Sequence, residues 1–116
     1  MTRKLLAGML LLGLAIGLSA CRGFFTQAPV AVLHVYDVQT PPCTFAFDAS
    51  GSVGEIDRFV LLFDDVDFIA GDWKTTTWPV YHTYPAQTAS YVAVLWIEDI
   101  YGQDDEDMKT VETPSP

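Results

Sequence analysis

Between Ser90 and Asp99 the chain reads S-Y-V-A-V-L-W-I-E-D. This is a strand with apolar residues on both faces. Successive side chains of a strand point to opposite sides of a sheet. Tyr91, Ala93, Leu95 and Ile97 therefore share one face, and Val92, Val94 and Trp96 share the other. A strand on the surface of a small antiparallel protein normally buries one face and wets the other. Something has to cover the second face, or that face is itself a contact surface.

The remaining runs have the same character. β-Branched and aromatic stretches alternate with turn residues at the spacing of an all-β sandwich. The spacing predicts strands over Val30–Tyr36, Cys43–Asp48, Ile56–Phe63, Trp78–Tyr84, Ser90–Asp99 and Asp107–Thr113, with a short edge strand inside Asp67–Trp78. Pro79 near the start of its strand places that strand at a sheet edge, where a missing N–H is tolerated. No amphipathic helical period, internal repeat or low-complexity block interrupts the pattern. The predicted fold is an all-β, immunoglobulin-like sandwich of about seven strands over 30–113, with 114–116 as a tail.

The first residues are of a different kind. Arg3 and Lys4 precede an apolar run from Leu5 to Leu18. That run is shorter than the roughly 20 residues of a membrane span and has the form of a secretory signal. It ends in L-S-A-C at Leu18–Cys21, which resembles the bacterial lipobox. The resemblance implies removal of residues 1–20, a diacylglyceryl thioether and an acylated amine on Cys21, and a stable anchor, because two or more acyl chains hold where one does not. Residues 21–29 are then a lipidated cysteine and a short tether. The expected location is the extracytoplasmic side of a bacterial cell envelope. Arg22, where an aspartate would signal inner-membrane retention, favours the outer membrane if the cell is Gram-negative.

The mature chain from Cys21 carries four basic residues against fifteen acidic ones, a net charge of −11, compared with −9 for the precursor. Such a chain is repelled by phosphate backbones, which argues against nucleic acid as a partner. With Cys21 lipidated, Cys43 has no partner for an internal disulfide. The alternatives for Cys43 are a buried thiol acting as a small hydrophobe, favoured by its place beside Phe45 and Phe47, and an intermolecular bridge.

Several short motifs fall in order. F-D-A-S-G-S at Phe47–Ser52 is followed by I-D-R-F-V-L-L-F-D-D at Ile56–Asp65, H-T-Y at His82–Tyr84, and Y-V-A-V-L-W-I-E-D-I-Y-G at Tyr91–Gly102. Together they resemble the PKD domain, an immunoglobulin-like module. The resemblance spans about Pro29 to Thr113. The family's W-D-F-G-D-G reads here Leu61, Leu62, Phe63, Asp64, Asp65, Val66, without the tryptophan and both glycines. A longer loop through V-D-F-I-A-G-D-W is expected there, since glycine often supplies positive φ in such a turn. Tyr91 stands two residues before Ala93, where immunoglobulin domains place a tyrosine before their second cysteine. The core is expected from Phe45, Phe47, Phe59, Leu61, Phe63, Tyr91, Leu95 and Ile97.

In sandwiches of this type the third and sixth strands are neighbours. Val60 and Leu62 are then expected beside Val92, Val94 and Trp96, an apolar patch on an outer sheet face. Large exposed apolar patches mark interfaces, and the expected partner is another envelope protein or a second copy of the chain. The alternative is self-cover by the 67–78 loop, through Phe68, Ile69 and Trp73.

Two acidic groups, Asp64, Asp65, Asp67 and Asp72 after the third strand and Asp104, Asp105, Glu106 and Asp107 after the sixth, read as solvated loops. Asp64, Asp65 and Asp67 are weak calcium candidates, since calcium takes six to eight oxygen ligands and no EF-hand spacing is present. No other cofactor is expected. His34 and His82 have no metal-ligand spacing around them, and S-G-S-V-G-E lacks the G-x-S-x-G of a nucleophile elbow. The residues point to a non-catalytic display module, with a carbohydrate- or calcium-binding module (Trp73 and Trp78 stacking on sugar rings) and a structural spacer as the other readings.

Overall fold

A computed structural model describes residues 27–114. The expected signal segment, the lipidation site Cys21 and most of the expected tether lie outside the described residues. Seven strands form two antiparallel sheets: β1 (His34–Asp37), β2 (Thr44–Asp48), β3 (Ile56–Leu62), β4 (Phe68–Asp72), β5 (Val80–Thr83), β6 (Ala89–Asp99) and β7 (Asp104–Thr113). The order is β1-β2-β5 in one sheet and β4-β3-β6-β7 in the other. This is the expected immunoglobulin-like sandwich, with β3 and β6 adjacent and Pro79 beside an edge strand.

Strand alternation builds the core. Tyr91, Ala93, Leu95 and Ile97 of β6 face inward with Phe59 and Leu61 of β3, and Phe45 and Phe47 of β2 oppose them. All eight residues expected in the core are buried, as is the Cys43 thiol. No inter-sheet disulfide is needed because aromatic rings interlock across the gap. Phe47 meets Phe63 edge-on at 5.0 Å between centroids, and Tyr84 stacks on Tyr91 at 4.2 Å. The Tyr84 hydroxyl donates to the Phe63 carbonyl at 2.9 Å in the interior, where an unpaired hydroxyl would be costly.

Two of the resemblance motifs hold the same end of the sandwich, where β2 and β6 finish and β3 begins. Asp48 accepts from the Ser50 N–H at 2.8 Å, and Ser52 Oγ bonds both the N–H and the carbonyl of Val32. The buried Asp99 carboxylate accepts the N–H groups of Tyr101 and Gln103 and the Gln103 amide, shaping the β6–β7 turn in which Gly102 takes φ +85°.

Four expectations are corrected. The first strand is split: Val30 makes an isolated bridge with Val53, and β1 begins only at His34. Between them the chain runs beside β7, where Asp105 Oδ2 accepts the Ala31 N–H at 2.8 Å and Asp107 Oδ2 accepts the Leu33 N–H at 2.7 Å. Asp104 to Asp107 are therefore not a solvated loop. They are the first half of β7, and two of their carboxylates stand in for backbone acceptors.

The loop expected after Phe63 is also not formed. The chain turns tightly into β4, with the Phe63 N–H reaching the Asp67 carbonyl. Asp64 itself takes φ +70°, a conformation aspartate tolerates through local side-chain bonding. Its Oδ2 accepts the Val92 N–H at 2.9 Å, and Asp65 Oδ1 accepts the Asp67 N–H. Finally, residues 67–78 do not fold over the outer face. They form β4, which extends the sheet beside β3, and a 3₁₀ turn at Trp73–Thr75. Ile69 and Trp73 pack toward the core, while Phe68 is exposed.

Candidate functional site

The strand registers lay out the outer face of the four-stranded sheet row by row. Directly opposed residues on neighbouring strands share a face. Leu62 pairs with Phe68 of β4 and Val94 of β6, and Val94 pairs with Met108 of β7. One row is thus Phe68–Leu62–Val94–Met108, four apolar side chains crossing all four strands. The next is Ala70–Val60–Trp96–Glu106, and on the other side Val92 pairs with Thr110. The structure brings together all five expected face residues, Val60, Leu62, Val92, Val94 and Trp96.

Phe68 is 61% exposed, Met108 54%, Leu62 45% and Val92 42%. These are high values for large apolar side chains lying side by side. Phe68, a cover in the self-cover alternative, is instead part of the surface. Met108 lies inside the expected strand 107–113, and the β6–β7 register, which sets it opposite Val94, brings it into the apolar row.

The apolar rows have an acidic border. The row beyond Trp96 is Asp72–Arg58–Glu98–Asp104, three carboxylates and the sole cation of these rows. Arg58 is paired with Glu98 and lies 5.6 Å over the Trp96 ring. The Trp96 indole N–H donates to Asp104 Oδ2 at 3.2 Å. Trp96 is held in place by these contacts, which limits the rotamer entropy lost when something docks on it. Asp64 at the Val92 N–H and Glu112 opposite Ser90 add negative charge at the far end.

The calcium candidates are arranged differently from the sequence expectation. Asp64 faces Val92. Asp65 and Asp67 instead gather with His82, each offering one ligand atom within 4.8 Å of the others. His82 Nε2 contacts Asp65 Oδ2 at 2.7 Å, and its ring stacks on Phe63 at 4.0 Å and 2°. Burial pushes the Asp65 carboxyl up, but the Asp67 N–H and His82 outweigh it and hold the group below its ordinary value. An imidazole is a poor substitute for the hard oxygen ligands calcium prefers. The Trp73 and Trp78 rings pack on Phe59, at 6.1 and 5.1 Å, and lie 5.5 Å from each other. Both rings are half-buried.

No protein-family model matches the chain, and no curated protein matches it significantly. Solved structures do. The PKD1 domain of Vibrio anguillarum Epp superposes with a TM-score of 0.63 at 16% identity, covering 78% of this chain and 99% of that one. The PKD1 domain of the Vibrio cholerae metalloprotease PrtV gives 0.61 at 16%, covering 76% and 99%. A structure from work on promiscuous carbohydrate-binding modules of the β-sandwich superfamily gives 0.62 at 24%, covering 78% of this chain and 36% of that one. The chain has a PKD-like sandwich fold. At these identities the likeness concerns fold, which hosts unrelated functions.

Proposed function

We propose that this chain is a non-catalytic, lipid-anchored display module of a bacterial envelope, which binds another protein through the outer face of its β4-β3-β6-β7 sheet. The observation that carries the reading is the Phe68–Leu62–Val94–Met108 row, an apolar band across the full sheet with no segment of residues 27–114 lying over it. A PKD-like sandwich serves such a role with no cofactor.

The acidic border favours a partner of complementary charge. A second copy would set carboxylates against carboxylates, on a mature chain of net charge −11. Like charges brought together across an interface are costly. The fitting partner is a different protein, with an apolar patch ringed by lysine or arginine. The anchor is proposed from Arg3, Lys4, the apolar run and Leu18–Cys21.

The two parts of the reading are tested separately. Mass spectrometry of the membrane-extracted protein should find acyl chains on Cys21, and Cys21→Ala should release it in soluble form. Photoreactive residues at Phe68 and Met108 should capture one and the same basic-rimmed protein, and Leu62→Lys should abolish the capture. Capture of the chain by itself would replace the partner with self-assembly.

A further inference from the structure

Four exposed apolar side chains gather at the end of the sandwich where the tether enters. Val53 is 55% exposed, Ile100 52%, Val30 47% and Tyr101 45%. They come from three segments tied by backbone bonds. Val30 and Val53 exchange N–H···O bonds of 2.8 and 2.9 Å, and the Ile100 N–H donates to the Glu55 carbonyl at 3.0 Å. Gly54, at φ +126°, lets Pro29 lie close, since a Cβ there would stand 3.0 Å from the Pro29 Cα. The entry point of the tether is thus fixed against this cluster. The turn bearing Ile100 and Tyr101 is fixed too, by the Asp99 carboxylate.

We infer that this end of the domain is a lipid-contacting surface, seated on the bilayer through Ile100, Tyr101, Val30 and Val53. The inference rests on the lipid-anchor reading of Cys21. Six peptide links separate Cys21 from Gln27, a reach of at most about 21 Å. Two of the five intervening residues are Phe24 and Phe25, bulky apolar rings that gain by entering the bilayer. With those rings in the bilayer, Thr26 alone separates Phe25 from Gln27, and the entry end of the sandwich meets the headgroups.

Tyrosine suits that depth, its ring apolar and its hydroxyl wet. Glu55, Asp57, Asp104 and Asp105 lie near the same end and are repelled by anionic headgroups. The surface therefore fits zwitterionic lipid. Strands seated end-on stand the β4-β3-β6-β7 sheet upright on the membrane, so that its outer face looks sideways, where a neighbouring envelope protein meets it.

Spin-label depth measurements on the full mature, lipidated protein in phosphatidylcholine vesicles test this. One label is placed by Gly51→Cys in the entry-end turn, where an added Cβ meets only the Val32 side chain at an ordinary 3.5 Å. The other is placed by Val66→Cys at the opposite end, where Val66 is fully open. The eleven residues of β6 put about 33 Å between these ends. Both proteins carry Cys43→Ala. The expected result is oxygen-dominated collisions at position 51 and nickel-complex-dominated collisions at position 66. Ile100→Ser with Tyr101→Ser should shift position 51 toward water while the protein still floats with the vesicles.

A water-exposed label at 51 on protein that floats with vesicles would overturn the inference and leave the anchor standing. So would a lipid-facing label at 66, or no shift in the double variant. Unacylated Cys21 with no flotation would overturn both together.

Discussion

His82 Nε2 and Asp65 Oδ2 stand 2.7 Å apart, joining β5 of one sheet to the turn that leaves β3 of the other. The contact is shielded, with 9% and 16% of the two side chains exposed. It ties together the Phe63 ring stacked on His82 and the Tyr84 hydroxyl bonded to Phe63. Asp65→Ala should destabilise the domain by about 1.5–3 kcal/mol, the range for a hydrogen bond to a charged group. Chemical denaturation measures it.

The same pair sets an acid limb. Asp65 has a folded-state carboxyl held below its ordinary value by the Asp67 N–H and His82, against the opposing effect of burial. A depressed carboxylate contributes stability that is complete above its unfolded value, about 3.9, and is lost as pH falls through the lower folded value. Stability should therefore fall below about pH 4, and the fall should be shallower in Asp65→Asn. Melting temperatures of the two proteins between neutral pH and strong acid give the comparison.

Asp105 and Asp107 hold the entering chain by accepting the Ala31 and Leu33 N–H groups. Asp107→Ala leaves one of these donors unpaired, at a cost of about 1–3 kcal/mol. Its signature is local: hydrogen exchange should accelerate at residues 31–33 more than at Leu95 or Ile97 in β6. Equal acceleration everywhere would mean the carboxylate acts only on global stability.

Cys43 is buried at φ +62° just before β2. Its thiol should resist alkylating reagents in the folded protein and react once the chain unfolds. Cys43→Val should destabilise by about 1–3 kcal/mol, because a β-branched side chain is strained at positive φ. Cys43→Gly removes that strain and loses the buried CH2–SH group. Thermal melts of the two variants separate backbone strain from packing.

Much of the fold is legible along the chain because the signal is alternation. Tyr91, Ala93, Leu95 and Ile97 declare one buried face of β6, and Phe59 and Leu61 do the same for β3. The outer face follows from the same period, so Val60, Leu62, Val92, Val94 and Trp96 are found from residues alone. The illegible parts are those where side chains replace expected backbone chemistry. Asp64 takes the positive φ that glycine usually supplies, and so converts an expected loop into a tight turn. Asp105 and Asp107 look like a solvated run because their partners, Ala31 and Leu33, are 74 positions away. Met108 sits in the expected strand 107–113, but its place in the apolar row follows only from the register that pairs it with Val94.

Position-resolved photo-crosslinking in cells producing the whole chain tests the docking face most directly. Photoreactive residues are placed at Phe68 and Met108, on opposite edge strands of the outer face, and at Tyr36 and Tyr81 on the other sheet. Phe68→Lys or Met108→Lys should change stability by no more than about 0.5 kcal/mol, as expected for exposed positions, so loss of folding does not confuse the outcome. The account predicts one partner protein captured from both 68 and 108, none from 36 and 81, and loss of capture on Leu62→Lys. Silence at 68 and 108, or the same captures from both sheets, would contradict it.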